Sequence, residues 1–273
     1  MSECVGNYFV LNGELLPCGL FDPSLVYEGE SVYEVIRVVK GVPVFFADHY
    51  RRLEASAGFQ KKPVLAGEED LKHYIKLLLS ADRKKNINLK IVFNYNKARV
   101  NKIVYYVEPV YPTEDQYRYG VPAIIYHAER KNPESKVINH KLRSEIYHRL
   151  INENAYEALL VNNHNCITEG SRSNVFFIKD DMLFTAPDRE VLGGITRMHI
   201  IEICRDRNIE IEFGCIDAGG ISQFESAFMS GTSPVVLPYS RIGGITFNVR
   251  HRYLPLLRKL YMEKAAESMK EFQ

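Results

Sequence analysis

The first third of the chain alternates between apolar stretches and short polar turns, a pattern typical of β-strands. The apolar segment 8–11 is followed by an Asn-Gly pair at 12–13, the dipeptide most typical of a two-residue hairpin. The segment 32–39 is rich in β-branched residues and predicts a longer strand that turns at Lys40-Gly41. Further strands are predicted at 42–46, 88–94 and 102–107. The chain therefore opens with a β-rich region.

Helices are predicted where apolar residues recur at intervals of three and four. Leu71, Ile75 and Leu78 fall on one face of a helix over residues 67–80. A second helix is predicted to begin near Asp48. Later helices are predicted just beyond residue 141, after residue 196 and over 253–273.

The stretch 109–119 interrupts this pattern. It contains two prolines and an acidic pair, which is typical of a connection between domains. Beyond it, short strands alternate with polar turns, at 122–127, 157–161, 167–168, 175–178 and 183–185. We therefore predict an α+β fold of two α/β domains, residues 1–115 and 116–273.

Composition and charge exclude several classes of protein. The 273 residues are 46% hydrophobic and 25% charged, with a formal net charge of +1. Such a balance gives no electrostatic attraction to nucleic acid or to an anionic membrane. No run of eighteen apolar residues predicts a membrane span, and the N-terminus lacks the basic and apolar regions of a signal peptide. We expect a cytoplasmic protein without nucleic-acid or membrane partners.

The five cysteines are scattered along the chain and odd in number. Their spacing predicts neither a disulfide framework nor a zinc cluster and favours a reducing compartment. The histidines at 49, 140 and 148 also lack the spacing of metal ligands, so no metal site is expected.

Two residues carry the reactive groups that the sequence suggests. Lys141 lies where an extended stretch meets a helix, which suits either a surface lysine or a buried one whose lowered pKa lets it form an imine with an aldehyde. Glu169 follows a strand and begins a turn, where it is either solvated or paired with a pyridinium nitrogen.

Small residues and one arginine suggest anion binding. Gly194, Ile195 and Thr196 precede a helix, so a phosphate there would meet free amide groups. The segment 230–233 (SGTS) is a second turn of small hydroxyl residues, and Arg52 adds a cation. Each of these pieces alone is more commonly an ordinary cap, turn or surface residue.

Taken together and in this order, the pieces resemble the fold-type IV pyridoxal-phosphate enzymes, also called class IV aminotransferases. That family includes branched-chain aminotransferases, D-amino-acid aminotransferases and 4-amino-4-deoxychorismate lyases. The resemblance covers nearly the whole chain, in five segments: 29–34 (GESVYE), 48–53 (DHYRRL), 168–176 (TEGSRSNVF), 194–197 (GITR) and 229–232 (MSGT).

The resemblance implies a cofactor and a set of site residues. The cofactor is pyridoxal 5′-phosphate, held as an imine by Lys141, with Glu169 paired to its ring nitrogen. The implied phosphate ligands are Arg52, Ile195, Thr196, Thr232 and Ser233. Tyr33 and Lys90 fall where relatives line the substrate pocket, with Lys90 at a position used for a substrate carboxylate. A homodimer that acts on small amino acids and keto acids is expected.

Departures from the family pattern bear on the substrate. The segment 94–96 (NYN) stands where D-specific enzymes carry Arg-Gly, which lowers the expectation of a D-substrate. Val35 stands where the lyases usually have threonine, and Ser31 replaces a glycine. We therefore expect an aminotransferase for a branched-chain-like L-amino acid. A 4-amino-4-deoxychorismate lyase is the alternative, and a cofactor-binding protein without turnover is a third hypothesis.

Overall fold

The computed structural model describes residues 3–97 and 99–272, which form two compact units. The first contains the described residues up to Val110, together with Ser135–Ile138 and those from Lys264 onward. The second contains Tyr111–Glu134 and Asn139–Glu263. The α+β fold is confirmed, whereas the domain boundary after residue 115 stays a prediction.

The first unit is built on a six-stranded antiparallel sheet in the order β2-β1-β6-β5-β3-β4. The strands are β1 Val5–Leu11, β2 Glu14–Pro17, β3 Glu30–Val39, β4 Val42–Pro43, β5 Ile87–Tyr95 and β6 Val100–Val107. Three α-helices accompany them: α1 Ser24–Tyr27, α2 Phe46–Phe59 and α3 Glu68–Asp82. A 3₁₀ turn covers Cys18–Leu20.

Alternation along β3 determines which side chains meet the helices. Val32, Ile36 and Val38 are buried in one core cluster with residues of α2 and α3, whereas Tyr33 packs in a second cluster. Because successive side chains of a strand point to opposite faces, Glu34 is directed to the same face as Val32 and Ile36. This face of the sheet is where α2 packs.

The predicted strand over 42–46 is wrong beyond Pro43. Phe45 has φ of 53°, in the left-handed region, which cannot continue a strand. The helix α2 begins directly after it, at Phe46, which agrees with the predicted start near Asp48. Its Leu53 and Ala57 are fully buried, as their helical spacing predicted.

The short segment Ser135–Ile138 pairs with the first half of β3. The Tyr33 N–H donates to the Lys136 carbonyl at 3.1 Å, and the Ile138 N–H donates to the Ser31 carbonyl at 3.2 Å. An isolated antiparallel bridge joins Val32 and Val137. This pairing joins residues more than a hundred positions apart and was not predicted.

The second unit is built on a mixed sheet in the order β12-β11-β10-β14-β15-β7-β8-β9-β13, with β16 paired to β15. The strands are β7 Val121–His127, β8 Glu157–Val161, β9 Cys166–Gly170, β10 Asn174–Lys179, β11 Met182–Thr185, β12 Ile211–Phe213, β13 Ile216–Asp217, β14 Ser226–Gly231, β15 Val235–Ile242 and β16 Ile245–Thr246. Its helices are α4 Glu114–Tyr119, α5 His140–Asn152, α6 Ile195–Asp206 and the first part of α7 Tyr253–Phe272, with 3₁₀ turns at Asp188–Glu190 and Ala218–Gln223. Gln273, the predicted end of α7, lies outside the described residues.

The cysteines depart from the prediction. Cys166 on β9 is bonded to Cys215, just before β13, with their Cα atoms 5.2 Å apart. The antiparallel pairing of β13 with β9 brings the two together although they are 49 positions apart in sequence. The prediction that no disulfide would form is therefore wrong.

Among the described residues, no helix combines the length and apolar character needed to cross a membrane.

Candidate active site

In the first unit, Arg52 is held by a buried carboxylate. Its Nε and Nη2 donate to the two oxygens of Glu34 at 2.7 and 2.6 Å, a bidentate pair. The side chain of Glu34 is fully buried and that of Arg52 is 11% exposed. His49 Nδ1 lies 2.7 Å from the same Glu34 carboxylate. The arginine predicted as a phosphate ligand is thus oriented by a carboxylate that His49 also contacts.

The charges of this cluster follow from its burial. Burial alone would raise the pKa of Glu34, but the charge and hydrogen bonds of Arg52 outweigh it and lower the pKa, so the group is ionised. Burial lowers the pKa of His49, and the charges of Arg52 and Lys136 act in the same direction against the opposing pull of Glu34. A neutral His49 therefore donates its Nδ1–H to Glu34, which leaves Arg52 as the cation of the cluster.

Lys136 lies beside this cluster, on the segment paired with β3. Its backbone N–H donates to the Ser56 hydroxyl at 3.1 Å, and its carbonyl accepts from Tyr33. The ammonium lies 5.1 Å from the centre of the Tyr33 ring, and the side chain is half-buried. Lys136, for which the sequence predicts no role, therefore contacts the predicted substrate residue Tyr33.

Tyr33 also contacts the second predicted substrate residue. Lys90 on β5 is 2% exposed, and its ammonium lies 5.2 Å from the centre of the Tyr33 ring. Its Nζ is 2.6 Å from a carboxylate oxygen of Glu3. The alternative that Lys90 is a solvated strand lysine is excluded by its burial.

In the second unit, Glu169 lies on a strand rather than in the predicted turn. It is the fourth residue of β9, its side chain is 4% exposed, and each oxygen has a partner. Arg130 Nη1 donates to one oxygen at 2.8 Å, and the Leu192 N–H donates to the other at 3.0 Å. Since a carboxylate has about four lone-pair sites, it can still accept a further hydrogen bond. Glu169 and Arg130 also line a polar cavity of about 210 Å³.

The loop that bonds Glu169 leads directly into α6. The carbonyl of Leu192 accepts from the Asn174 side chain at 2.8 Å and from the Gly194 N–H at 2.7 Å. Any side chain at 194 would collide with the Asn174 amide, which explains the glycine. No side chain caps the helix that follows, so the first amides of α6, at Ile195 and Thr196, are not satisfied by a cap.

The end of β14 supplies the second set of small residues. Ser230 pairs with Asn174 in the sheet register, and α6 packs against β14. The Ser230 hydroxyl is buried and, within the described part of the chain, has no hydrogen-bond partner. Thr232 and Ser233 follow it and are half-buried. Val235, two residues further, has φ of 57°, a strained value for a β-branched residue.

Comparison with known proteins identifies the family to which the chain belongs. The model of the family described as amino-transferase class IV matches residues 31–242, more than half of the chain. The chain belongs to the class IV aminotransferases. As a class IV aminotransferase it is an enzyme that uses pyridoxal 5′-phosphate.

Curated relatives of this class IV aminotransferase differ in the substrates that their names give. D-alanine aminotransferase of Bacillus licheniformis is 26% identical over 80% of the chain and 81% of its own length. A probable branched-chain-amino-acid aminotransferase of Thermotoga maritima is 26% identical over 85% of the chain and 83% of its own length.

Solved structures share the fold of this aminotransferase. The branched-chain amino acid aminotransferase from Escherichia coli has a TM-score of 0.82 at 20% identity and covers 97% of the chain and 96% of its own. A putative 4-amino-4-deoxychorismate lyase of Legionella pneumophila has a TM-score of 0.80 at 22% identity and covers 86% of the chain and 91% of its own.

The second unit of the aminotransferase fits a phosphate and a protonated ring. A buried hydroxyl without a partner costs free energy, so the orphaned Ser230 Oγ is suited to donate to a ligand. The uncapped amides of Ile195 and Thr196 supply the dipole that favours an anion. Glu169, bonded by Arg130, is a buried acid of the kind that a protonated ring nitrogen would need as its partner.

One predicted residue of the aminotransferase does not have the expected environment. Lys141 is the second residue of α5 and is exposed. The helix begins there because Asn139 accepts from the Leu142 N–H at 3.2 Å as its N-cap. The expectation of a buried lysine at 141 is therefore wrong, and its predicted role in holding the cofactor is not tested by the structure.

Several site residues were missed by reasoning from the sequence. Glu34 could have been found, because it stands in the quoted segment 29–34 at a position that alternation directs towards α2. No sequence pattern predicts a role for Arg130 or Lys136. Their partners, Glu169 and Tyr33, are distant from them in sequence. Ser230 was noted only as part of its turn.

Proposed function

We propose that the protein transfers the amino group of an L-amino acid with a branched-chain-like side chain to a keto acid. The observation that supports chemistry with this cofactor is the buried Glu169 carboxylate bonded by Arg130 and the Leu192 N–H. An acid held in this way would pair with the cofactor ring nitrogen and keep that nitrogen protonated. A protonated ring accepts electrons from the substrate α-carbon, which is the chemistry that pyridoxal phosphate supplies.

Each unit, taken by itself, offers groups that would suit the cofactor phosphate: a cation in the first, and amides and hydroxyls in the second. Arg52 supplies a permanent cation oriented by Glu34. Ile195 and Thr196 would donate their backbone N–H groups. The side chains of segment 230–233 would add their hydroxyls, those of Thr232 and Ser233 together with that of Ser230.

We propose that Lys136, rather than Lys141, forms the covalent link to the cofactor. Lys136 is half-buried, fixed to β3 by its backbone, and lies 5.1 Å from the Tyr33 ring centre. It is also close enough to the Arg52 cluster for its charge to affect His49. Lys141 is exposed at the start of a helix and has no such neighbours among the contacts described above.

Lys136 would hold the cofactor through its Nζ, and the cofactor would supply the reactive aldehyde carbon for that link. Displaced by the substrate amine, the lysine would be free to move a proton from the substrate α-carbon.

Borohydride reduction followed by tryptic mapping distinguishes the two lysines. Reduction fixes the C=N bond, and trypsin does not cleave at the modified lysine. An adduct on Lys136 would give the peptide 132–141, whereas an adduct on Lys141 would give 137–143. We expect the first peptide from the native protein, its extension 132–143 from Lys141→Ala, and no adduct from Lys136→Ala. Recovery of peptide 137–143 as the adduct of the native protein would overturn the assignment of Lys136 and restore that of Lys141.

The proposal of an L-substrate is supported by the end of β5. The Asn94 side chain donates to the Glu28 carbonyl at 2.7 Å and to the Ser31 hydroxyl at 3.0 Å, and the Tyr95 hydroxyl donates to the Pro63 carbonyl at 2.7 Å. These side chains form hydrogen bonds within the first unit. They belong to the segment 94–96, at which D-specific relatives carry Arg-Gly. Ser31 itself donates to the Val26 carbonyl at 2.7 Å, a structural reason for the serine.

The test of the reaction is an absorption spectrum of the loaded enzyme with a panel of amino acids. We expect the visible band to be lost with L-valine, L-leucine and L-isoleucine and restored by a keto acid. Bleaching by D-alanine alone would overturn the choice of an L-substrate. Release of pyruvate from 4-amino-4-deoxychorismate without any keto acid would instead identify the lyase, because elimination needs no acceptor. The cytoplasmic location and the homodimer remain predictions.

A further inference from the structure

The charge of Lys90 is enclosed by aromatic rings and by a carboxylate of the same chain. Its ammonium lies 5.2 to 5.7 Å from the ring centres of Tyr27, Tyr33 and Tyr105, close enough for cation–π attraction. Its Nζ lies 2.6 Å from Glu3 Oε1. The side chain of Lys90 is only 3% exposed, so this cluster replaces the water that an ammonium ordinarily binds.

The carboxylate of Glu3 is bound as a ligand would be. Its second oxygen accepts hydrogen bonds from the hydroxyls of Tyr27 and Tyr105, the latter at 3.1 Å. Burial alone would raise the pKa of Glu3, but the charge of Lys90 and these hydrogen bonds outweigh it and lower the pKa. One cation and two hydroxyl donors therefore converge on a single ionised carboxylate.

The two sides of this contact differ in how they are held. Lys90, Tyr105 and Tyr33 belong to three strands of the sheet, and Tyr27 ends α1. Glu3 precedes β1, and its side chain is 31% exposed. Lys90, Tyr33 and Tyr105 are thus buried in the sheet, whereas the carboxylate of Glu3 is partly exposed to solvent. Such an arrangement allows exchange of the carboxylate without rearrangement of the sheet.

We propose that Glu3 is an internal occupant of a carboxylate-binding site and that the carboxylate of a substrate exchanges with it at Lys90. Glu3 is then a residue that determines specificity, because it competes with every carboxylic acid that reaches Lys90. The contact with Tyr33, which Lys136 also touches, places this site among the predicted substrate residues. This inference rests on the proposed function for its substrate, but the binding site itself does not.

Chemical rescue tests the site without any turnover. In the loaded enzyme, Glu3→Ala leaves Lys90 buried without its carboxylate and should lower the unfolding temperature. Acetate or propionate should restore that temperature in a saturable manner, whereas chloride at equal ionic strength should not. Glu3→Ser, which also leaves room for acetate, gives a second background should the alanine variant fold poorly.

A matched control exists on β3. Glu30 and Lys62 form an ion pair at the same 2.6 Å distance, but their side chains are 70% and 30% exposed. Glu30→Ala should show no rescue, because water solvates the lysine that remains. Rescue should also disappear when Lys90→Met is added to Glu3→Ala.

Steady-state kinetics then show whether a substrate uses the site. If Glu3 occupies Lys90 for nine-tenths of the time, it weakens a competing carboxylate about tenfold. We therefore expect Glu3→Ala to lower KM for a carboxylate substrate about tenfold with kcat unchanged.

The two readouts separate the possible failures. Absence of saturable rescue by carboxylates in both Glu3 variants would overturn the site. Rescue with an unchanged KM would retain the site but overturn the competition with substrate. Rescue in an enzyme that shows no amino transfer would support the site while the proposed function fails.

Discussion

Glu34→Gln is the substitution that most directly tests how Arg52 is held. Glutamine has nearly the same shape but has lost the charge, and it presents an NH₂ group to partners that are themselves donors. Glu34 is fully buried and accepts two hydrogen bonds from Arg52 and one from His49. In at least one of these three contacts, two hydrogen-bond donors would therefore face each other.

The size of the effect follows from burial. Removal of one partner from a buried ion pair costs about 3–5 kcal/mol, because the remaining charge is left uncompensated. The exposure of Arg52, 11%, lets water recover only a little of this. We expect the free energy of unfolding at pH 7 to fall by about 3–5 kcal/mol. The loaded enzyme should also release its cofactor faster, because Arg52 is no longer oriented.

The pH dependence has a definite sign. The folded pKa of Glu34 is below its unfolded value, which for glutamate is about 4.3. Its contribution to stability is therefore complete above the unfolded pKa and is lost as the pH falls through the folded pKa. Glu34→Gln should consequently lose less stability on acidification than the native protein.

Urea unfolding of the native protein, Glu34→Gln and Glu30→Gln provides the measurement. Glu30 lies on the same strand and pairs with Lys62, but it is exposed, so its substitution should cost about 0–1 kcal/mol. A loss below about 1 kcal/mol for Glu34→Gln, equal to that of the control, would refute the buried-pair reasoning.

Three further predictions concern the second unit. Replacement of Cys166 and Cys215 by serine should lower the free energy of unfolding by about 4 kcal/mol, since the bond closes a loop of 49 positions; equal urea midpoints for native protein with and without reductant would contradict this. Ser230→Ala should leave the cofactor-free protein as stable or about 1 kcal/mol more stable, because it removes an unbonded buried hydroxyl, but should weaken cofactor retention measured by dialysis. Glu169→Gln should retain the cofactor while kcat falls by orders of magnitude, and an unchanged kcat would exclude its role at the ring nitrogen.

Local pattern was enough to predict most elements of the first unit. The strand at 32–39 and the helix over 67–80 agree with β3 and α3 within two residues at each end, because their periodicity is strong. The prediction fails where the backbone conformation of a single residue ends an element, as in the strand predicted over 42–46. Phe45 leaves the strand region with φ of 53°, and nothing in its side chain signals that.

For a similar reason, the sequence predicts some residues of the candidate site and not others. Residues within quoted segments, such as Arg52 and Glu169, are held in buried ion pairs. The resemblance assigns the imine to Lys141, whereas the burial of a lysine depends on what packs against it. Lys136 is brought next to Tyr33 by the bridge between Val32 and Val137. These residues are more than a hundred positions apart, so no local sequence pattern predicts the contact.

The loop before α6 has a consequence for how this sequence can diverge. Both backbone groups of Leu192 are used, the N–H by Glu169 and the carbonyl by Asn174, and the helix begins three residues later at Ile195. An insertion or deletion there would move the helix amides relative to the Glu169 carboxylate. Natural variants and designed libraries should therefore accept changes of side chain at 192 far more readily than any change in the length of this loop.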